Sequence, residues 1–227
     1  MKWRIFLYGT AAAMATLAAI ALAITRFPLV EREIIFLSPT PWTKHEASAR
    51  VEDSIRPFLE VRYLNDVDLT AAKNALLELD WVEFAALRRR APGIVVVTIR
   101  PRRVIGSIEL TDGTFMPVDA RGHVIRERFL DGFLPVVYGD GGAQGLPRLL
   151  SLLSRHPEIR NRLQSATLVN NLRWDITIAG RGGEVLIRLP VDEADLALGR
   201  VLRQGLLTDP LSEIDIRAGT RIFVRER

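Results

Sequence analysis

The chain has 227 residues, 48% of them hydrophobic and 26% charged, proportions that exclude a mainly disordered protein. It holds no cysteine, which excludes a disulfide framework, thiolate metal sites and thiol nucleophiles. The net charge of +4 comes almost wholly from arginines spread along the chain, and without a clustered basic face nucleic acid is not the expected partner.

The segment Ile5–Thr25 carries no charge; Lys2 and Arg4 precede it and Arg26 follows. Its length is close to the ~20 residues that take a helix across ~30 Å of hydrocarbon, and a helix bonds its own backbone in lipid. The rival is a cleaved signal peptide, because Ala19-Ile20-Ala21 and Ala21-Leu22-Ala23 resemble cleavage sites. A signal's apolar core is usually only ~7–15 residues, so the expectation is an anchor. Lys2 and Arg4 hold the N-terminus inside. Residues 1–4 are then a cytoplasmic stub, 5–25 a transmembrane helix and 26–33 a linker to an exported body.

Ile34–Leu37 is an apolar run ended by Ser38-Pro39-Thr40-Pro41 and reads as a strand and turn. Thr43 and Glu46 form a capping box. Ala47, Val51, Ile55 and Phe58 then follow at helical spacing, giving a helix up to about Leu59 with its last turn expected to kink or break at Pro57. Asp68 is a candidate N-cap for a helix lined by Leu69, Ala72, Leu76 and Leu79. Trp81–Arg89 and Ile94–Pro101 read as strands joined at Ala91-Pro92-Gly93. Two helices on one face of a three-stranded sheet bury these stripes.

After Pro101 short strands dominate. Val104–Leu110, Phe115–Val118, His123–Arg126 and Leu134–Tyr138 are separated by Gly-rich turns. Leu146, Leu149, Leu150 and Leu153 form a short amphipathic helix stopped near Pro157. In Leu172–Ala179, Leu172, Trp174, Ile176 and Ile178 alternate with other residues, a strand with one buried face. Gly180-Arg181-Gly182-Gly183 turns it into a hairpin partner holding Val185, Ile187 and Leu189. Asp192 is expected to cap a helix that turns Ala194, Leu198, Val201, Leu202 and Gly205 inward. Glu213–Arg225 reads as one last strand.

No catalytic constellation emerges. His45, His123 and His156 are isolated, no serine sits in a nucleophile-elbow context, and Gly139-Asp140-Gly141-Gly142 lacks the spacing of a phosphate loop. No enzyme activity, cofactor, metal or small-molecule substrate is expected. Arg88-Arg89-Arg90 ends a strand; a solvated hairpin end is the plain account, and contact with an acidic partner or lipid the functional one.

A chain that ends in a strand can leave it at a sheet edge with unpaired N–H and C=O groups, where a partner segment adds as another strand. Ile222 and Val224 would point to the core, with Arg221, Phe223 and Arg225 on the opposite face.

Leu79-Asp80-Trp81-Val82, with Ala85, Leu87, Arg89, Pro92, Val95 and Val97, resembles the second half of a POTRA domain of the FtsQ/DivIB type. Leu134-Pro135-Val136-Val137-Tyr138-Gly139 is similar to that family's next strand. Arg173-Trp174-Asp175-Ile176, Gly183-Glu184-Val185 and Leu189-Pro190 resemble an alphaproteobacterial FtsQ block, and Glu213-Ile214-Asp215-Ile216-Arg217 its closing strand. The chain departs from the pattern at Asp80, where the family has proline, and at Pro101-Arg102-Arg103-Val104, which lacks the family's acid and proline.

The resemblance implies an α+β fold: an N-terminal transmembrane helix, a POTRA domain at 34–101 with a three-stranded sheet and two helices, and a mostly antiparallel β domain with flanking helices at 102–227. It implies a non-catalytic, single-pass (type II) inner-membrane protein of the division septum, with its bulk in the periplasm. The partners implied are FtsB/FtsL-like proteins, and beyond them FtsW, FtsI and FtsN. The candidate partner-binding residues are Arg217, Thr220, Arg221, Phe223 and Arg225. In the matching FtsQ strand a Tyr follows the Arg and a Trp stands near the end; here those places hold Ala218 and Glu226. The alternative is a POTRA-containing envelope protein for outer-membrane assembly or secretion.

Overall fold

The computed structural model describes residues 28–29, 31–39, 44–127 and 134–226, with Met14 and Thr16, and the chain divides into two units, Met1–Pro101 and Arg102–Arg227. The expected transmembrane segment 5–25 lies, but for Met14 and Thr16, outside the described residues, and so does Thr43 of the capping box. No helix among the described residues is long and apolar enough to cross a membrane.

In the first unit, strand β1 (Glu31–Phe36) is followed by helices α1 (Lys44–Leu59) and α2 (Leu69–Leu77), then strands β2 (Val82–Arg90) and β3 (Ile94–Pro101). The sheet order is β1-β3-β2, with β1 parallel and β2 antiparallel to β3. The helical spacing of Ala47, Val51 and Ile55 sets them on one face of α1, and all three are fully buried. Pro57 does not end the helix, which runs on to Leu59. Proline disturbs the bond to the carbonyl four residues back, and this close to the C-terminus few further bonds depend on it. The Asp68 carboxylate caps α2, accepting from Thr70 N at 3.0 Å and Ala71 N at 2.9 Å. Trp81 is fully buried, its ring 6.5 Å from that of Phe36. Val95, Val97 and Ile99, alternate residues of β3, are buried with it.

The second unit holds β4 (Val104–Glu109), β5 (Phe115–Asp119), β6 (Val136–Tyr138), α3 (Gly142–Leu153), α4 (Pro157–Arg160), β7 (Leu163–Val169), β8 (Arg173–Gly180), β9 (Gly183–Arg188), α5 (Ala194–Arg203), β10 (Leu211–Asp215) and β11 (Phe223–Glu226). All eight strands share one sheet, in the order β11-β10-β9-β8-β7-β6-β4-β5. It is mostly antiparallel, with parallel pairings at β4/β6, β6/β7 and β9/β10. Period-two alternation puts Val137, Ala166, Ile176, Ile187 and Ile214 on one face. There they pack with Leu146, Leu149 and Leu153 of α3 and Ala197, Leu198 and Val201 of α5 in one buried cluster. Gly139 lets the chain leave β6: at φ +91, a Cβ there would lie 2.2 Å from Leu168 O, a position only glycine fills without strain.

Several elements differ from the sequence expectations. β7 is an additional strand, and a register shift between Leu163 and Ser165 breaks its alternation. Segment 123–126 is no strand: Val124 makes only an isolated bridge to Val118. The tight turn before it is closed by the Asp119 carboxylate, which accepts from Arg121 N and His123 N. Leu172 precedes β8 and is 67% exposed. The N-cap of α5 is Glu193 at φ +56, without a side-chain cap bond, one residue beyond the expected cap Asp192. Gly205 is exposed and left-handed, ending the helical region rather than facing inward. The expected strand Glu213–Arg225 is two strands, β10 and β11, folded back on each other antiparallel.

Candidate partner-binding edge

Among the described residues, β11 is the last strand of the eight-stranded sheet and pairs only with β10. Its formation begins with Gly219, whose φ of +66 reverses the chain after Arg217. The reversing loop is tied down from two sides. Arg200 of α5 donates to Gly219 O, and Arg221 N donates to Ala218 O at 3.4 Å.

Within the pair, Leu211 stands opposite Glu226, Glu213 opposite Arg225, Ile214 opposite Val224 and Asp215 opposite Phe223. Phe223 and Arg225 therefore share the face of Glu213 and Asp215, the face turned away from the buried cluster. Phe223 is 55% exposed. Ile222 is partly buried against the core, but Val224 is 49% exposed although its partner Ile214 is fully buried. Val224 thus stands on the core-side face, opposite Ile214, but is not buried there: at the sheet edge half its flanking cover is missing.

The electrostatics centre on two acids of β10. Glu213 binds Arg188 of β9 at 2.6 Å and Arg225 of β11 at 3.0 Å. Asp215 is gripped by Arg217, with Nη2–Oδ2 at 2.6 Å, Nε–Oδ1 at 2.9 Å and Arg217 N–Oδ1 at 3.0 Å. These bonds hold the Asp215 carboxyl below the usual carboxylate range against the opposing effect of burial, and the same contact raises the Arg217 guanidinium. Ser212 Oγ donates to Arg225 O at 3.1 Å.

Of the sequence candidates, Phe223 and Arg225 thus come together on β11. Arg221 lies just before the strand, and Thr220 and Arg217 lie on the exposed loop, Arg217 engaged by Asp215. Sequence reasoning missed Glu213, Ser212 and Arg188 as the anchors of Arg225 and of the strand. The signal for them was Gly219, a turn residue inside a supposed strand. The opposite edge of the sheet is closed by comparison. Pro117 of β5 has no N–H to offer, its carbonyl accepts from Ile125 N at 2.8 Å, and Asp119 N donates to His123 O at 2.9 Å.

Elsewhere, His156 Nε2 and Arg155 Nε each lie 2.8 Å from Asp195 Oδ1. The Arg155 hydrogen bond is the main cause holding the Asp195 carboxyl below its usual range, with His156 adding to it. Among the described residues no three acidic or histidine side chains converge to hold a metal.

Residues 108–217 match the family model for the C-terminal domain of cell division protein FtsQ/DivIB. The chain is 30% identical over 192 residues to cell division protein FtsQ of Cereibacter sphaeroides, covering 79% of this chain and 60% of that protein. It is 28% identical over 167 residues to FtsQ of Caulobacter vibrioides, covering 71% and 54%, and 29% identical over 192 residues to FtsQ of Paracoccus denitrificans, covering 79% and 54%. The chain thus spans a little over half the length of these curated relatives. The family match holds β10, with its two acids and Arg217, and the sequence identity to the relatives extends over most of both units: the chain belongs to the FtsQ/DivIB family of bacterial cell division proteins.

Proposed function

We propose that the chain is a non-catalytic scaffold of the divisome that captures an FtsB/FtsL-like partner by strand addition to β11. Through that partner it would act on FtsW, FtsI and FtsN, and so on septal peptidoglycan synthesis. In this reading Ile5–Thr25 anchors the chain in the inner membrane with its N-terminus in the cytoplasm. Residues 34–101 form a POTRA domain and 102–227 the β domain, both in the periplasm.

The observation that carries the proposal is the exposure of β11. Among the described residues it has a neighbour on one side only, which leaves its outward N–H and C=O groups open to an incoming strand. Phe223 and Arg225 stand beside that edge, an aromatic and an arginine of the kind that dominates interface energetics. The capped β5 edge makes the two sides of the sheet unequal.

The test is co-purification of the full chain with the periplasmic segment of an FtsB-like protein expressed beside it. Phe223→Ala weakens capture and Phe115→Ala, on β5 at the opposite edge of the sheet, leaves it unchanged. Equal capture by both variants would refute strand addition at β11. A fluorescent fusion at the N-terminus is expected to form midcell rings; an even envelope signal would refute the divisome role.

A further inference from the structure

Arg88-Arg89-Arg90 closes β2 at its turn into β3, and the sheet register fixes which end of the first unit that is. Arg90 pairs with Ile94 and Ile94 with Glu31, the first residue of β1. Glu31 N also donates to Gly93 O at 3.3 Å. The chain enters the unit at this same end, where Pro28 bridges Tyr63 and Leu29 N donates to Arg62 O at 3.2 Å. Leu29, Leu59 and Val61, with Glu31 and Arg32, line a shallow groove beside this entry.

The arginines gathered here are not equivalent. Arg89 turns inward, donating from Nε to Leu64 O at 3.0 Å and from Nη2 to Val67 O at 2.7 Å. Arg90 is paired with Glu33 at 2.5 Å and Arg32 with Glu52 at 3.7 Å. Arg62 lies over the Tyr63 ring, 5.4 Å from its centroid. Among the described residues neither Arg62 nor Arg88 has a carboxylate at ion-pair distance, and both are exposed. The acids near this end are Glu31, Glu33, Glu52, Glu60 and Asp66.

We propose that this end is a membrane-surface contact, in which Arg62 and Arg88 bind anionic lipid headgroups. The proposal rests on the reading of Ile5–Thr25 as a membrane span. Only Arg26 and Phe27 separate Thr25 from Pro28, so at 3.8 Å per residue Pro28 stands within ~11 Å of the end of the apolar run. Arg62 and Tyr63, bonded to Leu29 and Pro28, are carried to the same depth. There an arginine side chain lays its stem on apolar surface and keeps its charge among headgroups, and an aromatic ring such as that of Tyr63 suits the interface. The two guanidiniums, neither held by a carboxylate, bias the first unit toward one orientation on the lipid.

The absence of native cysteine makes the test direct. The full chain is placed in nanodiscs with a fluorophore on Glu60→Cys, at the end where the chain enters the unit, or on Leu37→Cys, beyond the far end of β1. Quenching by headgroup spin-labelled lipid is then measured. Strong quenching at position 60 and little at 37 is expected with anionic phosphatidylglycerol present. It weakens in pure phosphatidylcholine and in Arg62→Ala/Arg88→Ala, each arginine being worth roughly fivefold in occupancy of the bound orientation. Equal quenching at both positions, or quenching at 60 indifferent to anionic lipid and to both arginines, overturns the surface contact while leaving the anchor in place. A chain that elutes free of the discs overturns the anchor and the contact together.

Discussion

Glu213 and Arg225 face each other across β10 and β11, 3.0 Å apart, while the same carboxylate holds Arg188 on its other side at 2.6 Å. Glu213 is 14% exposed and Arg225 75%, so the carboxylate is the enclosed partner and the arginine the solvated one. The edge strand is thereby fastened by a charge it does not itself own.

Glu213→Gln is expected to loosen β11. It leaves Arg188, itself one-third exposed, without its carboxylate, and the cost is about 1–3 kcal/mol. Denaturant unfolding measures the loss. Hydrogen exchange locates it, with amides of 223–226 exchanging faster and those of 176–178 unchanged.

Phe223→Ala separates binding from folding. The side chain is mostly exposed, so the unfolding free energy should move by less than about 0.5 kcal/mol. The affinity for a strand-adding partner should fall by an amount typical of an aromatic anchor, ~2 kcal/mol or more. Calorimetry on the two proteins reads both quantities; a large stability loss with intact binding would reverse the assignment.

The second unit should lose stability in acid through Asp215. The hydrogen bonds from Arg217 hold its carboxyl below the ordinary carboxylate range in the folded state. A depressed carboxylate stabilises the fold above its unfolded value, about 3.9, and that stability disappears as pH falls through the lower folded value. Thermal midpoints measured on descending from neutrality should therefore drop below about pH 4, and Asp215→Asn should flatten part of that drop. Asp195, depressed chiefly by Arg155, supplies a further share that remains in the variant.

Asp119 is 3% exposed and accepts from Arg121 N at 2.8 Å, His123 N at 2.9 Å and Arg102 Nη1 at 3.1 Å. Asp119→Ala strands these donors and should cost about 2–3 kcal/mol. Asp119→Asn, which keeps an acceptor oxygen, should cost less. Chemical denaturation of the full chain compares the two.

What the sequence determined by itself were the elements whose pattern is local. Helical spacing marked Ala47, Val51 and Ile55, and strict alternation marked Trp174, Ile176 and Ile178, because each periodicity is a property of consecutive residues. β7 escaped because its register shift at Leu163–Ser165 breaks the period and Ala166 presents little apolar signal. The tertiary structure alone decided the rest. Gly219 folds β11 onto β10, placing Glu213 against Arg225, and the order of eight strands leaves β11 open while Pro117 and segment 123–125 cap β5. Arg62 and Arg88 lie far apart in sequence, yet the sheet register and the Pro28–Tyr63 bridge bring them to one end. Such pairings depend on which distant segments share a sheet, and the free energy that selects them comes from burial of the whole core, which no short stretch of sequence contains.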